Sequence, residues 1–185
     1  MQYEEFPSRQ LYYCALLEVT KTPQLEIADL MGIVYSQAVE SCDHAVRFTL
    51  SRSLAGQSLT SRFVQNTFGT GVQRVAFATD DIFAAATNAK AAGLPMLDIC
   101  PHYHADIEAR FGLDPVLVER IAALYILYDR TEVAGGGLED GAPEYFQFYS
   151  RAVGKRVFFE VIERRGYNAY GVVNPRAHRC HRPSQ

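Results

Sequence analysis

The sequence predicts an α+β protein, and three observations carry that prediction. Strands come in runs: "LEIAD" (25–29), "GIVYSQAVES" (32–41) and "AVRFTLS" (45–51) follow one another, as do "YFQFYSRAV" (145–153) and "RVFFEVIERR" (156–165). Helical patterns gather between these runs instead of alternating with single strands, which argues against a doubly wound parallel sheet. The second half reads as a β-α-β-β-β unit. The first half reads as the same unit without its first strand, so a degenerate internal duplication is expected.

Each element has its own signals. "SRQLYYCALLEV" (8–19) predicts a helix, with Ser8 placed to cap it and Leu11, Ala15, Leu16 and Val19 at helical spacing. Asp29 with Gly32, then "SCDH", mark the turns between the three strands. "LTSRFVQNTFG" (59–69) predicts a short helix ending at Gly69, and "GVQRVAFAT" (71–79) a strand with Arg74 in its middle. "DDIFAAATNAKAAG" (80–93) is the clearest helix, Ala-rich, with acids at its start and Gly93 at its end. A short extended piece, "LPML", precedes two further helices, 104–112 and 114–124. Asp114 is placed as N-cap and Pro115 at the first helical position. "LYILYDRT" leads into a Gly- and acid-rich stretch, 132–144, expected to be an exposed loop. Gly154-Lys155 is expected to turn between the last two strands.

Composition bounds the function. The chain has 185 residues, 48% hydrophobic and 21% charged, with a net charge of −3, which is ordinary globular composition. Nothing in that charge points to nucleic acid or an anionic membrane. No apolar run approaches the ~20 residues of a membrane span. "MQYEEFPSRQ" is too polar for a secretory signal. Cys14, Cys42, Cys100 and Cys180 are widely spaced with no CxxC pair, which suits free thiols in the cytoplasm. There is no P-loop, no GxGxxG after a strand and no nucleophile elbow; the acids of "AGGGLEDG" would repel phosphate.

Three segments, "GVQRVAFATDDIF", "YFQFYSRAVGKRVFFEVIERRG" and "YNAYGVVN", resemble the C-terminal half of 4-hydroxyphenylpyruvate dioxygenase. "LEIADLMGIVYSQAVES" resembles more closely the dioxygenase-like domain at the C-terminus of bacterial two-domain 3-dehydroshikimate dehydratases. The resemblance covers roughly residues 8–174. It implies the vicinal oxygen chelate (glyoxalase-type) fold, paired β-α-β-β-β modules forming a cup around a metal. The corresponding organisation is an incomplete first module at 1–69, a second module at 70–174, and a disordered basic tail at 175–185.

The resemblance also implies iron(II), or another divalent metal, held by two His and one Glu with positions open for a 2-oxo acid and O2. The Glu corresponds to Glu160 in "FFE", whereas the second His of the "GVQH" motif is Arg74 here. The first His belongs to the strand that this chain lacks. Arginine cannot ligate a metal, but its planar guanidinium can form a bidentate pair with a carboxylate. Arg74 is therefore expected to face Glu160 and replace the iron's charge. The alternatives are an Arg74 that turns outward into solvent, or a shifted register. Gln147 matches the family glutamine that holds the substrate's oxo-acid group, its alternative being an exposed strand position. Ser51 stands where the family has Asn, Tyr170 matches one aromatic of the substrate clamp, and Asn174 precedes Pro175 where the dioxygenases have a second Phe.

The remaining candidates read more plainly. His102 and His104 are expected to precede a helix without ligating metal, with Asp106 and Glu108 nearby. His178, Cys180 and His181 form a tail cluster able to pick up zinc or nickel adventitiously. His44 is expected at an exposed turn, and Glu163, facing away from Glu160, in solvent.

Two function classes remain open. One is an accessory or small-molecule-binding domain of a two-domain 3-dehydroshikimate dehydratase type protein, with a degenerate metal site and an acidic or aromatic metabolite as ligand. The other is an active non-haem iron or divalent-metal dioxygenase acting on an aromatic 2-oxo acid, its missing ligand supplied by His102, His104 or a partner chain. A module without its first strand leaves an open sheet edge. That edge is expected to be covered by the N-terminal segment, by a missing N-terminal domain or by a second chain in a homo-oligomer.

Overall fold

The structure is a computed structural model that describes residues 1–29, 32–53, 58–131, 141–154 and 157–167. The chain divides into two compact units, Met1–Gln73 and Arg74–Gln185.

The first unit begins with helix α1 (Glu5–Leu16), followed by strands β1 (Val19–Lys21), β2 (Leu25–Asp29), β3 (Gly32–Ser41) and β4 (Arg47–Ser53), and helix α2 (Leu59–Asn66). All strand pairings are antiparallel. The long β3 pairs with β4 from Val34↔Ser53 to Glu40↔Arg47, while its other edge takes β2 and β1 end to end. Among the described residues no strand pairs with the far edge of β4.

α1 lies earlier than its apolar spacing suggests. It starts at Glu5 and ends at Leu16, because Val19 is drawn into β1 opposite Ser41. Pro7 is tolerated because it falls in the first turn, where its missing N–H has no helical partner. Ser8 does not cap this helix, whose N-cap is Glu4. The cap of α2 is Ser58, whose Oγ accepts from Ser61 N at 3.1 Å.

The second unit runs β5 (Arg74–Ala78), α3 (Ile82–Ala91), α4 (Pro101–Phe111), α5 (Pro115–Ala123), β6 (Leu127–Arg130), β7 (Glu144–Tyr149) and β8 (Phe158–Arg165). The sheet order is β5-β8-β7-β6, with β5 parallel to β8 and the other pairs antiparallel. This is a β-α-β-β-β module with α4 and α5 added to its crossover. Asp81 caps α3 by accepting from Ala84 N at 3.0 Å, and Asp114 caps α5 by accepting from Val116 N at 2.9 Å. "LPML" contributes an isolated bridge, Met96↔Ser150, and Gly154 turns with φ +58°. A core of Ile82, Ala86, Ile121, Ile126, Tyr128, Phe146 and Phe148 fills the space between helices and sheet.

Two corrections bear on function. β5 begins at Arg74 and does not extend back to 71, so this cation opens the strand instead of interrupting it. α4 begins at Pro101, so His102 and His104 lie inside a helix and do not precede it. Pro101 at the first helical position was the signal for that earlier start.

Candidate functional site

The sheet of the second unit brings a polar cluster together. On β7, Tyr145, Gln147 and Tyr149 alternate onto one face, because successive strand side chains point to opposite sides. In the β7–β8 register Tyr149 pairs with Glu160, Gln147 with Ile162 and Tyr145 with Arg164. In the parallel β5–β8 register Arg74 lies opposite Phe158, two residues from Glu160. That offset is within the reach of an arginine side chain.

Arg74 Nε lies 3.3 Å from Glu160 Oε2, with the Arg74 side chain 33% exposed and that of Glu160 only 3%. The recorded contact runs through Nε and not through a two-point fork. The Tyr145 hydroxyl donates to Glu160 Oε1 at a long 3.5 Å, and the Tyr149 hydroxyl donates to Gln147 Oε1 at 3.0 Å. Tyr145, Gln147 and Tyr149 are all buried. Burial opposes the charge on Arg74, but Glu160, with Tyr149 and Tyr145, holds its pKa above arginine's ordinary value. Burial, followed by the charge of Glu160, pushes both phenols up, so they stay neutral donors at physiological pH.

This donor set does not suit a divalent metal. It holds one carboxylate, an amide, two neutral phenols and a fixed cation beside the carboxylate. Among the described residues no group of three or more His, Cys, Asp or Glu is placed to hold a metal ion. The arrangement can instead present hydrogen-bond donors: a partly exposed guanidinium, and the amide nitrogen of Gln147, whose oxygen Tyr149 already occupies.

The other candidates scatter. Ser51 lies on β4 in the first unit, its Oγ 3.0 Å from that of Ser36. Tyr170, Asn174, Pro175, His178, Cys180 and His181 lie outside the described residues, as does most of the 132–144 stretch. His44, in the β3–β4 turn with φ +58°, is exposed and has Nδ1 2.7 Å from Glu40 Oε1. His102 is exposed and His104 half-buried on α4, and two residues apart on a helix they do not face each other.

His104 has a buried Nε2 without a hydrogen-bond partner, and burial lowers its pKa. The unfolded chain therefore takes up this proton first. His104 contributes stability that is present above its unfolded pKa and lost as pH falls toward the folded one. An NMR titration is expected to give His104 a midpoint below histidine's ordinary value of about 6.5; a midpoint at or above that value would contradict the burial.

Glu163 corrects the expectation of a solvated residue. It faces away from Glu160, yet it is 5% exposed. Its Oε2 accepts from Ile82 N at 2.8 Å, at the start of α3, and its Oε1 accepts from Arg165 Nε at 2.6 Å. A carboxylate at a helix N-terminus also meets the positive end of the helix dipole. Glu163→Ala is expected to cost about 1–3 kcal/mol in chemical denaturation, because it leaves the Ile82 N–H buried and unpaired. No loss would show that Asp81 alone suffices as cap. Tyr145 and Tyr149 were legible but not singled out: the period-two spacing Tyr145-x-Gln147-x-Tyr149 puts them beside Gln147.

No family model matches the chain. A 3-dehydroshikimate dehydratase from Pseudomonas putida is 34% identical over 172 residues, covering 92% of this chain and 26% of that protein. The Pseudomonas aeruginosa 3-dehydroshikimate dehydratase is 35% identical with the same coverage. A 4-hydroxyphenylpyruvate dioxygenase from Pseudomonas aeruginosa is 25% identical over 144 residues, 78% of this chain and 38% of that protein. The chain thus spans about a quarter of the length of the dehydratases it matches. Among solved structures, a xylose isomerase-like TIM barrel/4-hydroxyphenylpyruvate dioxygenase fusion protein superposes with a TM-score of 0.73 at 30% identity, covering 96% of this chain and 27% of that one. A variant of 4-hydroxymandelate synthase from Streptomyces coelicolor gives a TM-score of 0.78 at 20% identity, with 96% and 49% covered, a likeness of fold alone.

Proposed function

We infer, for a chain homologous to 4-hydroxyphenylpyruvate dioxygenase-like domains and sharing their vicinal oxygen chelate fold, a function in binding a small acidic or aromatic metabolite without a metal. Within a 3-dehydroshikimate dehydratase type protein it would act as an accessory domain of the cytoplasm. The Arg74–Glu160 contact carries this reading. At the position where the resemblance puts a histidine ligand stands a guanidinium, 3.3 Å from the carboxylate that would be the third ligand. A permanent cation there neutralises Glu160 and repels a second one. The remaining donors of Arg74 and the amide of Gln147 suit a carboxylate or oxo group on the ligand. Ser51, Tyr170 and Asn174 are assigned to substrate contact by resemblance. The open edge of β4 is assigned to a covering strand, either from a preceding domain or from a second copy.

Iron(II) titration under anaerobic conditions, followed by calorimetry and metal analysis, tests this reading. The unmodified chain is expected to bind no stoichiometric iron. The informative comparison is Arg74→His: a gain of affinity in that variant alone shows an intact cup silenced by the arginine. Stoichiometric iron in the unmodified chain would overturn the reading and return the dioxygenase class to the front.

A further inference from the structure

We propose that Arg52 forms a second, carboxylate-binding site on the α1 face of the first unit. Arg52 lies on β4 opposite Tyr35 on β3, on the sheet face away from its neighbour Ser51. Its guanidinium carbon is 4.1 Å from the centroid of the Tyr3 ring, 4.6 Å from that of Phe6 and 5.3 Å from that of Tyr35. Three rings thus surround one cation. Its Nε is buried and has no hydrogen-bond partner. None of the ion pairs recorded among the described residues involves Arg52; their carboxylates, on Glu40, Asp98, Glu144, Glu160 and Glu163, serve other cations.

A half-buried guanidinium held among three rings without an anion is an incomplete arrangement. The ring faces offset part of its lost hydration. They leave the buried Nε–H without an acceptor, and a buried donor left unpaired is costly. A second observation lies beside it. Tyr3 and Phe6 flank the start of α1, and the N-cap Glu4 makes no side-chain hydrogen bond there. Phe6 N donates to Tyr3 O at 3.4 Å and Pro7 has no N–H, so what the start of α1 offers an anion held by Arg52 is the positive end of the helix.

The charges nearby select the class of anion. Glu4 and Glu5 belong to the same turn, and the Glu5 carboxylate accepts from Thr70 Oγ1. The negative charges of Glu4 and Glu5, set against the positive ones of Arg52, Arg9 and the Met1 ammonium, leave one net positive charge, which suits a monoanion better than a phosphate dianion. A carboxylate also matches the planar fork of a guanidinium. Tyr3, 44% exposed, adds a flat apolar surface for the body of the ligand. The site therefore takes an apolar or aromatic monocarboxylate.

The test is NMR of the full 15N-labelled chain, observing the arginine Nε–Hε signals. Sodium benzoate and inorganic phosphate are titrated at matched ionic strength, and the Arg52 signal is identified by its loss in Arg52→Lys. Benzoate is expected to move the Arg52 signal saturably, with phosphate at least about tenfold weaker. Arg52→Lys is expected to weaken benzoate binding about tenfold or more, the worth of one charge-assisted pair. An Arg52 signal that stays still, or follows ionic strength alone, overturns the proposal. So does equal binding by Arg52→Lys or a preference for phosphate. Should the variant fail to fold, the titration of the unmodified chain still decides. Arg74 has its own Hε signal, so failure here and failure of the binding function proposed above are read separately.

Discussion

Arg74→Met is expected to destabilise the chain by about 2–3 kcal/mol. Breaking a buried ion pair by removing one partner costs about 3–5 kcal/mol when both partners are enclosed. Arg74 is one-third exposed, so solvent already screens part of the pair, and the expected loss is correspondingly smaller. Glu160 stays behind at 2% exposure, with only the neutral Tyr145 and Tyr149 hydroxyls as partners. Urea denaturation measures this loss directly. Arg74→Met combined with Glu160→Gln should recover most of it, because no buried charge is then left without its partner. No recovery in the double variant would mean that the two side chains are not coupled.

Phe146→Ala is expected to cost about 3–5 kcal/mol, the range for removing a large aromatic from a closed core. Phe146 is 0% exposed. It meets the Tyr128 ring edge-on at 4.9 Å and the Phe83 ring at 5.9 Å, and Arg165 lies over it at 4.6 Å. The cavity would open between α3 and the sheet, where Phe83 packs against Phe146. For a chain of this size each kcal/mol corresponds to about 2–4 °C in Tm. A fall of roughly 6 °C or more is therefore expected; a fall of about 2 °C would show that the core collapses around the gap.

Much of the fold was legible because its signals are local. The Ala-rich run with Asp81 before it, Pro115 after Asp114, and the alternation of "YFQFY" each act within a few residues. Boundaries were less legible where a distant strand decides them. Val19 reads as the last turn of a helix until Ser41 pairs with it. Gly71, Val72 and Gln73 read as strand until the ladder with β8 starts at Arg74. Glu163 carries the same lesson for side chains. Its spacing gives the correct face, but only the arrival of the Ile82 N–H from 81 residues away makes that face a buried one.

The same division holds for the candidate site. The sequence by itself determined that this is an α+β chain of the dioxygenase-like kind, that an arginine stands where the resemblance calls for a histidine, and that Glu160 and Gln147 belong to alternating strands. These are matters of residue type and period. Only the tertiary structure decided that Arg74 reaches Glu160, that Tyr145 and Tyr149 close the cluster, and that Arg52 lies among three rings without a counter-charge. Those outcomes depend on strand register and helix placement, which bring residues dozens of positions apart to within a few ångströms. The energies at stake there, the desolvation and pairing of charge, exist only once water has been excluded.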